Sequence, residues 1–205
     1  MSLTNAYTTL ADVKTALRIP SADTVDDAML TIAINAASRQ IDGECDRVFY
    51  PQSGARVYVP ESSILVNTDD IQAVTTLETS SGDGFTVTIP STDFQLEPLN
   101  GQAGGIPGPF TRIRATGAFL FPVFSQRSVN LDEATVRVTG TFGWPAVPDA
   151  IKQAALLLSI RIFKRLDSPL AVAGFGDMGA VRVGRTDPDV MALIHPYVRG
   201  SRGVA

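Results

Sequence analysis

The sequence predicts an α+β protein: a helical core of two N-terminal helices, one long and one short C-terminal helix, with an inserted antiparallel β domain. Two observations predict it. Apolar residues recur at a 3.6-residue period near both ends of the chain. Between about 56 and 142 that period gives way to short β-branched and aromatic runs separated by turn residues. The expected division is 1–50 with 146–205 for the helical core, including a C-terminal arm at 168–185, and 55–143 for the β-sheet or small sandwich.

The first helix is expected from Thr9 to Arg18. Thr9 caps it, Asp12 stands three places on, Leu10, Val13 and Leu17 form its stripe, and Pro20 stops it. A second helix is expected to begin near Thr24, with the stripe Leu30, Ile34, Ala37, Ile41 and Cys45 on one face. The strand candidates are RVYVP, SILV, AVTTLET, FTVTIP, FQLEP, TRIRA and TVRVTGTF, with SSGDG at 80–84 as a hairpin turn. The stretch 100–109, NGQAGGIPGP, reads as a loop, and AFLFPVF at 118–124 as core strand, buried loop or exposed contact loop. A third helix follows Val147, with Pro148 in its first turn, Asp149 at the positive end of its dipole, and the stripe Ile151, Ala155, Leu158, Ile162 and Leu166. The second and third helices share one spacing and can pack closely on each other.

The third helix also carries Leu156, Ile160 and Phe163 on the side away from its main stripe. Two readings stay open: another element of the same chain covers them, or a neighbouring copy does, one side of a subunit lying on the opposite side of the next. The arm beyond contains GFGDMG, which fits G-x-G-x-x-G. It follows the loop SPLAVA and precedes the strand-like AVRVGR, the reverse of a strand, turn and helix, so a dinucleotide site is excluded. Gly174, Gly176 and Gly179 make the arm easy to bend and costly to order alone. Val181, Arg182 and Val183 offer a strand edge, and Arg182 and Arg185 a positive charge, so the arm is expected to take its shape from a partner. A last short helix has Asp187 as cap, Pro188 at its first position, and Val190, Leu193, Ile194 and Tyr197 as its apolar residues.

Charge is uneven. The chain is −4 overall, yet the residues from Ile151 onward hold eight basic and four acidic side chains, leaving −8 on the first 150. Chance and solvated helix faces account for this as readily as a C-terminal segment that meets an acidic surface. No apolar run approaches the length of a membrane span, and no signal peptide is visible. The single cysteine, Cys45, completes an apolar stripe and reads as an inert core thiol; one such residue fits a reducing compartment. The only histidine, His195, precedes Pro196 at a helix end without a nucleophile or carboxylate to complete a triad. Asp23, Asp26 and Asp27 read as helix-start carboxylates, and Asp69 and Asp70 as turn residues. No catalytic set, cofactor site or metal site is expected.

Both ends of the chain carry a resemblance. The segment YTTLADVKTALRIPSADTVDDAMLTIAINAASRQIDGECDRVFYP is similar to the opening helices of tailed-phage head-to-tail connector (adaptor) proteins. The stretch from VTGTFGWPAVPDAIK to IHPYVR resembles their C-terminal half: a strand ending in G-x-x-G-W, a V-P entry to a long helix, a glycine-rich arm, and a D-P-D helix ending in P-Y. The resemblance implies a structural virion protein, assembled in the host cytoplasm and found at the head-tail interface. It implies a ring, commonly of twelve copies, between the portal protein and a stopper or tail-completion protein. DNA would pass through without sequence-specific binding, and the arm would engage the portal. The contact residues that go with this reading are Leu156, Ile160, Phe163, Gly174, Gly176, Gly179, Val181, Arg182, Val183 and Arg185. Two other classes remain: a carbohydrate- or surface-binding β module of a phage tail, and a metal-dependent enzyme built on the β insert.

Overall fold

In the computed structural model, the described residues are 2–80, 84–100, 102–103, 106–123, 135–165, 172–173, 181–182 and 187–200. They form four α-helices and a six-stranded antiparallel sheet, an α+β fold. The helices are α1 (Leu10–Leu17), α2 (Asp27–Cys45), α3 (Asp149–Lys164) and α4 (Pro188–Ile194), with a 3-10 turn at His195–Tyr197. The strands are β1 (Gln52–Tyr58), β2 (Leu65–Ser80), β3 (Phe85–Ile89), β4 (Phe94–Glu97), β5 (Gln102–Ala103), β6 (Ile106–Pro107), β7 (Phe110–Ala115), β8 (Val136–Phe142), β9 (Val172–Ala173) and β10 (Val181–Arg182). The chain divides into two compact units, one of Met1–Phe49 with Val147–Ala205 and one of Tyr50–Ala146.

In the helical unit, the Thr9 hydroxyl accepts the Asp12 N–H at 3.1 Å and donates to the Asp12 carboxylate at 2.6 Å, which closes the first turn of α1. Arg18 ends that helix in the left-handed region. α2 begins at Asp27, three residues later than Thr24. The Thr24 carbonyl accepts the Asp27 N–H at 3.3 Å, so the residues before Asp27 form a turn. All five stripe residues of α2, Leu30, Ile34, Ala37, Ile41 and Cys45, are fully buried. They pack against α3, whose stripe residues Ile151, Ala155 and Leu158 are buried, with Ala154 beside them; Ile162 is half-buried, and Leu166 lies outside the described residues. Pro148 stands just before α3 rather than in its first turn. Burying an aliphatic side chain of this size contributes roughly 1.5–3 kcal/mol, so the two stripes dominate this unit.

In the β unit, the strand order is β1, β8, β2, β7, β4, and β3 pairs with the far end of β2. Every pairing is antiparallel. Two runs expected as separate strands, SILV and AVTTLET, join into the single 16-residue β2. Register shifts between Asn67 and Ile71, and again between Ile71 and Ala73, let the strand absorb the polar residues between them. Asp69 and Asp70 are therefore strand residues, not turn residues. The 100–109 stretch, expected as loop throughout, holds the short pair β5 and β6. The core lies on one face, with Val66, Ile71, Leu77, Ile113, Val136, Val138 and Phe142 buried. In β8 the alternation is strict: Val136, Val138, Gly140 and Phe142 point inward, while Arg137, Thr139 and Thr141 are half-buried on the other side. Phe121 from the AFLFPVF run is buried in this core, whereas Leu120 and Val123 are exposed.

Candidate interaction surface

The sequence motifs resolve first into structural devices. In the G-T-F-G-W run, a Cβ on Gly140 would overlap the Ala73 carbonyl oxygen of β2, so only glycine permits this strand spacing. Gly143 has a φ of 80° and its N–H donates to the Asp70 carbonyl at 2.8 Å, which turns the chain out of the sheet. The Trp144 indole N–H then donates to the buried Asp70 carboxylate at 3.1 Å. Asp69, beside it, accepts from Arg56 at 2.8 Å and from the Tyr58 hydroxyl at 3.2 Å. Burial pushes the Tyr58 phenol up to about 12, with the Asp69 charge adding to it.

The aromatic and proline signatures at the two ends of the chain meet in the helical unit. Tyr7 donates to Asp42, and its hydroxyl accepts the Phe49 N–H at 2.9 Å. The Phe49 ring sits edge-on to Tyr7 at 5.6 Å and to Tyr197 at 5.8 Å. The Arg199 N–H reaches the Cys45 carbonyl at 2.9 Å. Arg39 bonds Asp42 at 2.8 Å and the Asn5 carbonyl at 3.0 Å, tying the N-terminal segment to α2. Burial raises both the Tyr7 phenol and the Asp42 carboxyl above their ordinary values; the Tyr7 bond and the Arg39 charge pull Asp42 back. Burial likewise pushes the Cys45 thiol up to about 12.

The predicted contact residues fall into two groups. Leu156, Ile160 and Phe163 are half-buried against the cluster of Val13, Leu30 and Ile34, with Leu10 and Leu17 of α1 beside them. Part of the off-stripe face of α3 is thus covered by α1 of the same chain. Gly174, Gly176, Gly179, Val183 and Arg185 lie outside the described residues, as does the GFGDMG motif. Val181 and Arg182 form β10, whose backbone pairs with Ala173 and Val172 of β9. The strand expected to find its partner outside the chain has one within the arm.

The arm leaves α3 past Arg165 and returns at Asp187. The Asp187 carboxylate accepts the Asp189 N–H at 3.0 Å as the α4 cap and pairs with Arg161 of α3 at 3.2 Å. Together they edge a cleft of about 140 Å³ between α2, α3 and α4, floored by Ile41, Leu158, Val190 and Ile194. Lys14 was missed by the sequence reading. It is buried, donating to Asp27 at 2.7 Å and to the Ser21 and Asp23 carbonyls. The signal was present, because Lys14 stands at the helical spacing from Leu10 to Leu17, where a core residue belongs. His195 is exposed. Among the described residues no group of three or more His, Cys, Asp or Glu is placed to hold a metal ion, and no helix is long and apolar enough to cross a membrane.

Residues 7–83 match the family model described as phage gp6-like head-tail connector protein. Three solved structures share the fold over 99% of this chain and 96% of their own. The neck of an empty GTA particle computed with C6 symmetry superposes with a TM-score of 0.58 at 21% identity. The neck of a native GTA particle computed with C12 symmetry gives 0.57 at 18%, and the virion of a native gene transfer agent (GTA) particle 0.58 at 20%. No curated protein matches the sequence significantly. The matched segment is thus similar to phage head-tail connector proteins, and the fold of the whole chain is shared with the neck structures. The resemblance read at the N-terminal end of this chain is borne out by the family match over residues 7–83.

Proposed function

We propose that this chain is a structural protein of a phage-type virion neck, acting as an adaptor rather than an enzyme. Several copies form a ring between the portal of a DNA-filled head and a stopper or tail-completion protein, and DNA crosses the ring without sequence-specific contacts. The helical unit builds the ring and the arm at 168–185 engages the portal. The β unit is an insertion whose boundaries follow the change of hydrophobic period. The observation that carries this reading is the connector family match at 7–83, set in a chain whose whole length shares a fold with neck proteins. The C12 symmetry of one such neck is consistent with twelve copies. A sugar-binding β module finds no support, because the aromatic side chains described in the β unit are buried or half-buried.

The test is assembly in the absence of this chain. Filled heads without tails, rescued by supplying the protein, are expected. Tailed, infectious particles formed without it would overturn the proposal.

A further inference from the structure

α2 has two apolar faces. Leu30, Ile34, Ala37 and Ile41 are in the core. On the opposite side a second stripe runs from Val25, in the turn before the helix, through Met29 and Ile32 to Ala36, again at offsets of 4, 7 and 11. Val25 is 86% exposed, Met29 41% and Ile32 43%. Asp23 and Asp26 stand at the N-terminal end of this stripe, both exposed. Asp26 makes no capping bond, and the Asp23 carboxylate accepts the local Val25 N–H at 3.1 Å. Arg39, farther along the same side, is held by Asp42 and the Asn5 carbonyl.

α3 has the counterpart. Opposite its packed residues Ala155 and Leu158 lies the half-buried Leu157, then the exposed Lys164, with exposed Arg165 next in the chain; Ile160, beside them, already packs against the Val13, Leu30 and Ile34 cluster. Among the described residues no ion pair engages Lys164. α2 and α3 pack on each other through their buried faces, so these two outer faces look in opposite directions.

We propose that a second copy of this chain docks here, the outer face of its α3 lying on the outer face of this chain's α2. Charge decides the pairing. The α2 end is acidic at Asp23 and Asp26, and the α3 end is basic at Lys164 and Arg165, so unlike faces attract. Pairing α2 with α2 gains no such attraction, because Arg39, on the same side of the helix, is already held by Asp42. A contact between opposite, unlike faces leaves each face free on the far side of every pair, so it repeats, and it closes into a ring if the rotation allows. This inference rests on the ring reading above and assigns to it the two faces.

The experiment uses the full chain, followed by sedimentation velocity and native mass spectrometry over a range of concentrations. The wild type is expected to associate. Asp23→Lys with Asp26→Lys should weaken association about tenfold or more, and adding Lys164→Glu with Arg165→Glu to the same chain should restore it. Ile32→Asp should weaken it similarly with an unchanged circular dichroism spectrum, since the residue is already exposed. Under mild oxidation, Met29→Cys chains mixed with Leu157→Cys chains should form disulfide-linked dimers that neither forms alone; the native Cys45 is buried and does not compete. An oligomer indifferent to the charge reversals, giving no mixed disulfide, overturns the two faces but leaves the ring. A chain that stays monomeric at every concentration overturns both.

Discussion

At the scale of single residues, the β unit depends on a few positions with no tolerance for exchange. Gly140→Ala places a methyl group against the Ala73 carbonyl, and the strands must part. A loss of about 1–3 kcal/mol is expected, seen as a lower urea midpoint. Asp70→Ala leaves the Trp144 indole N–H without its buried acceptor and should cost about 1–3 kcal/mol in the same assay. Glu97 shows the pH dependence. Arg114 bonds it at 2.5 Å and holds its carboxyl below the ordinary value of 4.5. A carboxyl depressed in the folded state contributes stability that is present above the unfolded value and lost as pH falls through the folded one. Unfolding midpoints taken between about pH 3 and 6 should therefore fall on acidification below about 4.5, and Glu97→Gln should flatten that slope. Cys45, with its thiol pushed up to about 12 by burial, should resist thiol reagents at neutral pH until the protein is unfolded.

At the scale of elements, local chemistry and tertiary demand can be separated. The α1 cap is local: Thr9→Ala should cost about 1 kcal/mol, and Thr9→Asp should recover most of it, measured by thermal unfolding. The stripes of α2 and α3 were legible because a 3.6-residue period survives wherever one face is buried. β2 was legible only in part. The run NTDDIQ has turn composition, and what keeps it extended lies elsewhere in the chain: β7 and β8 on its edges, Arg56 and Trp144 on its carboxylates. The arm tests the adaptor reading. Deleting 171–184 should leave both the helices and the sheet folded by circular dichroism yet abolish attachment to a portal ring. The deletion spares Asp187 and Arg161, whose pairing belongs to the helical unit. Normal attachment by the deleted protein would show that the arm is not the contact.

At the scale of the whole molecule, the distribution of charge predicts how copies and partners meet. With −8 on the first 150 residues and a net positive last quarter, association between unlike surfaces should weaken with salt. Raising ionic strength from about 0.05 M to about 0.5 M is expected to shift the sedimentation profile toward smaller species. A profile indifferent to salt would assign the contact to apolar burial alone. The sequence by itself determined the class of fold, the buried stripe of α2 and the caps of α1 and α4. Each of these follows from spacing and from the neighbours of a motif in the chain. The tertiary structure decided the rest. It joined two runs into β2, buried Lys14 where a charge is paired rather than solvated, and laid α1 over part of the off-stripe face of α3. It also left bare a second stripe on α2. Period alone says that a helix has an apolar face; which face is covered depends on what packs there, and that contact is made by residues far away in sequence.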